Sequence, residues 1–316
     1  AGGGVISIEA TGGVVTIHGT ITANGLYVPS NRDGGGSGGS IAIRCRVFRG
    51  STNGLLSAAG GNGDNNEWWY CGGGGGGGRI AVAYDAAAQA GEPPPGVRFL
   101  TSPGLGGFPT KRIARGQNGT VFLPGTELWR TTLADWLFRD VDLYLDGIAA
   151  WSPDSLAVSN CSVTFRDSIA LTVTNDVTVG RNGKLGVWPG RSFDCGRNLK
   201  VTDGGSLYVY SVQTNETYTD YGSLVSVAGE LRIDPGSWLF PYSDPTNGGS
   251  VVFRAGSVTI ASNGQFNATG AGYQVGYGQG KGVSGVGGGG GGGGYGGAGG
   301  AAGAGAAAGG TYGRTN

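Results

Sequence analysis

Val177-Thr-Val-Gly-Arg-Asn-Gly-Lys-Leu-Gly-Val187 reads as a short strand, a turn of five residues and a second short strand. Leu199-Lys-Val201 with Leu207-Tyr-Val209, Leu231-Arg-Ile233 with Leu239-Phe240, and Val258-Thr-Ile260 with Phe266-Asn-Ala268 repeat the pattern at intervals of 22, 32 and 27 residues. Period-two alternation puts one face of each strand inward, and the Gly and Asn of the turns tolerate left-handed backbone. The inward Leu, Val and Ile positions persist while loop lengths vary. That combination favours stacked rungs of a parallel β-helix over an all-β sandwich. The predicted fold class is therefore all-β, a solenoid with each rung adding about 4.8 Å along its axis.

Working outward, Val5-Ile-Ser-Ile8, Val14 to Thr22, Ile80 to Tyr84 and Thr120 to Leu123 read as further strands. Pro93-Pro-Pro95 marks the stretch from Ala86 to Pro109 as loop, and Leu128 to Leu137 holds the one candidate helical turn. Three glycine-rich excursions leave strands. One runs through Gly34 to Gly39 and returns at Ser40-Ile-Ala-Ile43. A second runs through Gly72 to Gly78 and returns at Arg79-Ile-Ala-Val82. The third leaves after Phe266-Asn-Ala-Thr-Gly270, contains Gly287 to Gly294 without interruption, and reaches Asn316 without a return strand. Ordering such runs costs more backbone entropy than ordering any other sequence. They are either disordered or packed as extended polyglycine strands, and their matching strand flanks favour packing. The expected organisation is one continuous β-helix over 1–270. Its parts are glycine-rich rungs over 1–85, an irregular connection over 86–128 and regular rungs over 129–270, followed by a Gly/Ala-rich tail over 271–316.

Composition narrows the function. The chain has 316 residues, 71 of them glycine, roughly three times the usual share, yet no collagen-like period runs through it. The formal net charge is zero, which gives no electrostatic case for nucleic acid or an anionic membrane. No apolar run approaches the roughly 18 residues of a membrane helix. Methionine is absent and the sequence starts at Ala1, so a processed chain or an excised piece is expected. Cys45, Cys71, Cys161 and Cys195 form an even set, and proximity favours Cys45–Cys71 and Cys161–Cys195 disulfides. Asn118, Asn160, Asn215 and Asn267 each open an N-glycosylation triplet, which suits an extracellular setting with covalent N-glycans.

Chemistry-bearing residues are sparse. Asp140-Val-Asp-Leu-Tyr-Leu-Asp146 places its carboxylates on one strand face, where two could act as glycosidase groups or bind calcium. Alternation alone explains each position, and a wet strand face is the preferred reading. His18, the only histidine, has no serine or cysteine motif to serve. The glycine runs lack a Gly-Lys-Ser/Thr ending, and no Cys/His cluster has zinc spacing. No catalytic residue, metal site or cofactor is assigned. Trp68, Trp69 and Tyr70 could stack on sugar rings or cover bare glycine backbone.

Gly2-Gly-Gly-Val-Ile-Ser-Ile-Glu-Ala10, Gly19-Thr-Ile-Thr-Ala-Asn-Gly25, Gly35-Gly-Ser-Gly-Gly-Ser-Ile41 and Gly76-Gly-Gly-Arg-Ile-Ala-Val82 resemble repeats of large glycine-rich, β-helical surface proteins. Such proteins include adhesin-like bacterial exoproteins and subunits of the extracellular filaments of some eukaryotic microbes. The resemblance implies a structural or adhesive extracellular role, flagellar-hair-like shafts being one setting. A chain that opens on a strand entry and ends in an unfinished excursion suggests head-to-tail self-assembly into a fibre. The expected joint involves Gly2, Gly3, Gly4, Val5, Ile6 and Ile8 at one end, and Phe266, Gly287, Gly294, Tyr295 and Tyr312 at the other. A carbohydrate-binding adhesin is the alternative, and a β-helical polysaccharide-degrading enzyme a weaker one.

Overall fold

The structure, a computed structural model, describes residues 1–27, 33–64, 72–106, 115–217, 219–285, 290–302 and 306–311. It is all-β, built on long parallel sheets. A ten-stranded sheet runs Val5–Ile17, Ser40–Gly50, Arg79–Ala83, Gly119–Leu123, Val141–Leu145, Ser162–Phe165, Lys184–Val187, Ser206–Tyr210, Trp238–Tyr242, Gln265–Phe266. Strands follow one another across it in chain order and always in parallel. A nine-stranded sheet and a four-stranded sheet receive the strands that lie between these in sequence. This alternation between sheets is consistent with a β-solenoid.

Register explains why the repeats are spaced as they are. Val177 pairs with Leu199, Leu199 with Leu231 and Leu231 with Val258. The 22-, 32- and 27-residue intervals therefore each advance by one rung, with the loops taking up the difference. In the ten-stranded sheet, Val163, Leu185, Leu207, Leu239 and Phe266 form one apolar column along the stack. Leu185, Leu207 and Leu239 in that column are fully buried. Each such side chain stabilises the fold by about 1.5–3 kcal/mol through removal of apolar surface from water.

The turns behave as their residues dictate. Asn160, Asn182, Asp203 and Asn263 all take positive φ, and Gly204 and Gly236 sit in the same class of corner. Corners also stack, since Asn160 donates its amide to Arg181 and Asn182 donates to Asp203.

Three features differ from the sequence reading. Leu128 to Leu137 forms turns and a short strand (Thr132–Leu133) instead of a helical turn. The helix among the described residues is Ala86–Gln89, within the stretch read as loop, capped by Asp85, whose carboxylate accepts from the Ala88 amide at 3.0 Å. It delivers the buried Gln89 side chain to the sheet, where Oε1 accepts from Phe48 N at 2.8 Å and Nε2 donates to Phe48 O at 3.2 Å.

The expected disulfides are the third. Cys45, Cys161 and Cys195 are free and buried, while Cys71 lies outside the described residues. Cys161 lies at the corner before Ser162–Phe165 of the ten-stranded sheet, whereas Cys195 lies in the nine-stranded sheet, paired with Val173. Each thiol donates instead to a backbone carbonyl: Cys161 to Phe138 at 3.2 Å and Cys195 to Asn175 at 3.3 Å. Burial pushes the Cys161 thiol up to about 12.

Candidate functional site

The glycine excursions form a hydrogen-bonded lattice. One layer contains 23–27, 58–64 and 100–105, running parallel. Ala23 and Gly25 donate to Ser57 and Ala59, and Gly60 and Gly63 donate to Ser102 and Leu105, at 2.8–2.9 Å. A second layer contains 1–4, 33–39, 72–78 and 116–119, also parallel. Gly3 donates to Ser37, Gly35 to Gly73, Gly38 to Gly76 and Gly77 to Gln117.

The two layers bond directly to each other with opposite chain sense. Gly36 and Gly39 donate to Leu26 and Ala23, Gly61 and Asp64 to Gly36 and Asp33, and Gly75 and Gly78 to Gly61 and Ala58. Partners to one neighbour thus recur every third residue, and bonds leave a single strand in several directions. A flat β-strand offers two edges only; this period matches the three residues per turn of a polyproline II helix, whose backbone groups point outward. Segment 58–64 bonds to four neighbours at once: 23–27, 33–39, 72–78 and 100–105.

Close backbone approach is what requires glycine. A Cβ on Gly61 would collide with the Leu26 carbonyl, and one on Gly75 with the Gly36 carbonyl. Gly76, between Gly75 and Gly77, faces outward; a Cβ there would lie 3.9 Å from its nearest neighbour, the Gln117 carbonyl. The outward position carries Ser37 in Gly35-Gly36-Ser37-Gly38-Gly39 and Asn62 in Gly60-Gly61-Asn62-Gly63. A three-residue period is therefore present locally, although none runs through the whole chain.

The tail uses the same bonding within itself. Gly291 and Gly294 donate to Val283 and Gly280, Val283 donates to Ala307, and Gly309 donates to Gly292, at 2.7–3.0 Å. A Cβ on Gly291 would collide with the Ala307 carbonyl. Gly294 belongs to this cluster, and Tyr295 beside it is 66% exposed. Gly287 and Tyr312 lie outside the described residues, as do Trp68, Trp69 and Tyr70.

Among the described residues the stack of strands has two ends. Val5–Ile17 is an outer strand at one end, and Val251–Ile260 and Gln265–Phe266 are outer strands at the other. The apolar columns are cut there. Ile6, Ile8, Ala10 and Ile21 at one end, and Val251, Phe253, Ala255 and Phe266 at the other, are only partly buried against the core. Val258 and Ile260 are 55% and 49% exposed, whereas their rung partners Leu231 and Ile233 are at 1% and 0%. Of the residues named for the joint, Gly2, Gly4 and Val5 are exposed, and Gly3, Ile6 and Ile8 are half-buried.

The remaining residues are placed as follows. Val141, Leu143 and Leu145 point inward, so Asp142 and Tyr144 share the outer face. Burial raises the Asp142 pKa, while Arg166 at 3.2 Å and Asn118 oppose the shift. Asp140 lies in a left-handed corner, where it accepts from Ser102, Ser162 and Arg115. His18 contacts the Ser51 hydroxyl at 3.1 Å on the surface. Of the glycosylation triplets, Asn215 is exposed and Asn118, Asn160 and Asn267 are half-buried. The described residues contain no helix long and apolar enough to cross a membrane. Comparison with protein-family models, curated proteins and solved structures returned no match.

Proposed function

We propose that the chain winds as a parallel β-helix and serves as a structural subunit of an extracellular fibre, copies joining head to tail. The observation that carries this reading is the pair of cut apolar columns on long parallel edge strands that have no outer partner among the described residues. An exposed edge of this length presents a row of free amides and carbonyls, a template for another strand. The edge strands have 13 and 10 residues, against a usual length of about five or six. The two edges differ, so contact between them is heterologous and propagates without closing. Gly2 to Ile8 supply one surface of the joint. Val258, Ile260 and Phe266 supply the other, with the tail, whose sequence holds Gly287 and Gly294, completing the glycine layer of the next copy. N-glycans, Asn215 foremost, coat the shaft. In this role the chain is no enzyme.

Negative-stain electron microscopy of the purified chain tests the reading. Filaments are expected, with monomers after Val258→Lys plus Ile260→Lys and after deletion of 287–316. Filaments that persist in the double variant would remove the sheet edge as the joint. Persistence after the deletion would remove the tail.

A further inference from the structure

Independently of fibre assembly, the outer face of the ten-stranded sheet carries an aromatic row. Leu207, Val209 and Leu239 are fully buried, so alternation turns Tyr208, Tyr210, Phe240 and Tyr242 outward. Parallel register then stacks them: Tyr208 lies 4.8 Å from Phe240 at 9°, and Tyr210 lies 5.0 Å from Tyr242 at 16°. Trp188 meets Tyr210 edge-on at 4.9 Å, with the Arg166 guanidinium 4.0 Å from the Trp188 ring centre.

Beside this row a cleft of about 620 Å³ opens, lined by Trp188, Tyr210, Tyr242 and Tyr273, with Gln213 and Asp244 on its rim. Its size lies inside the range of small-ligand sites, about 300–1,000 Å³. The rim is held in place by hydrogen bonds. Asp244 Oδ1 accepts from the amides of Thr246 and Asn247, each at 2.9 Å, and from the Thr246 hydroxyl at 2.7 Å. Gln213 Nε2 donates to Thr246 Oγ1 at 3.0 Å, and the Tyr273 hydroxyl donates to Asn247 O at 3.0 Å.

We propose that this cleft binds a neutral saccharide, whose C–H groups pack against the Trp188, Tyr210 and Tyr242 side chains that line it while its hydroxyls bond to Asp244 and Gln213. An aromatic wall favours weakly polarised C–H groups, and the carboxylate and amide supply an acceptor and both donor and acceptor for hydroxyls. Neutrality follows from charge. No Lys or Arg lines the cleft among the described residues, and Arg166 is already engaged with Asp142 at 3.2 Å. Two sources offer this chemistry, a separate polysaccharide or a glycan on exposed Asn215, two residues from Gln213.

The test is calorimetric titration of the full chain with cellohexaose, chitohexaose and mannohexaose, before and after enzymatic removal of N-glycans. At least one hexasaccharide is expected to bind, and Trp188→Ala and Tyr242→Ala to weaken it about tenfold or more, the equivalent of about 1.4 kcal/mol. Tyr242→Phe keeps the ring and should bind like the unaltered chain. Gln213→Ala, at an exposed position, should weaken binding without touching the core, and it decides the matter if the alanine variants misfold. Binding only after glycan removal assigns the cleft to the chain's own glycan; binding in both states assigns it to a separate polysaccharide. No binding at millimolar saccharide in either state overturns the proposal, as does unchanged affinity in Gln213→Ala and the folded ring variants.

Discussion

Two regions of the molecule hold parallel strands together by opposite means: the buried side-chain columns, which run through the sheets from Ile41, Ile80 and Val121 to Leu239, and the glycine lattice beside the first of those strands. From Val141 to Phe266, columns such as Val163-Leu185-Leu207-Leu239 hold successive rungs together through buried side chains. From Ala1 to Gly119, strands of the same sheet lead into glycine segments whose backbones bond layer to layer with no side chain between them. The first solution gains from removing apolar area from water, a non-directional force that tolerates imperfect fit. The second depends on directional hydrogen bonds with a modest net worth each, about 0.5–1.5 kcal/mol, and a steep penalty for any left unmade. It also carries the backbone entropy of ordering glycine. The glycine lattice therefore has less steric tolerance.

Substitutions separate the two, the largest effect falling in the side-chain columns. Phe193→Ala removes a fully buried ring and should cost about 3–5 kcal/mol in chemical denaturation. In the glycine lattice, Gly61→Ala or Gly75→Ala adds one methyl that meets backbone carbonyls, which have no rotamer by which to yield. Each should cost about 1–3 kcal/mol, several times what one methyl costs elsewhere.

A pH series isolates one buried thiol. Cys161 ordinarily titrates at 9.0 and is raised to about 12 in the fold. The unfolded chain therefore releases a proton over that interval while the folded chain keeps it. The contribution is fully present below pH 9.0 and is lost as pH rises towards 12, by at most about 1.4 kcal/mol per pH unit. Unfolding midpoints at pH 8 and pH 10.5 should fall further in the native chain than in Cys161→Ala. The smallest effect is Gly76→Ala, one residue from Gly75. With open space for the methyl and fewer unfolded conformations, it should be neutral or stabilise by up to about 1 kcal/mol. A Gly76→Ala cost equal to that of Gly75→Ala would erase the distinction between inner and outer positions.

The regular rungs were legible because each repeat carries its own register. Val177, Leu199, Leu231 and Val258 could be aligned by eye, and they are rung partners. In the glycine lattice, the matching flanks of the excursions were legible and the layer order was not. Glycine carries no side-chain pattern, so only the Ser37 and Asn62 interruptions hinted at the three-residue period. The cysteines were misjudged for a related reason. Sequence proximity was used where rung position governs, and Cys161 and Cys195 fall in different parts of the stack. The cleft beside Trp188 was not read because Tyr210, Tyr242 and Tyr273 converge only through register and a later loop, with no motif in the chain.

Amide hydrogen exchange across the glycine segments tests the central claim most directly. If the lattice holds, the amides of Gly36, Gly61, Gly75 and Gly78, each bonded across the two layers, should be protected to a degree approaching that of Val177 and Val179. Exchange of those amides at the rate of an unstructured glycine peptide, with Val177 and Val179 still protected, would contradict it.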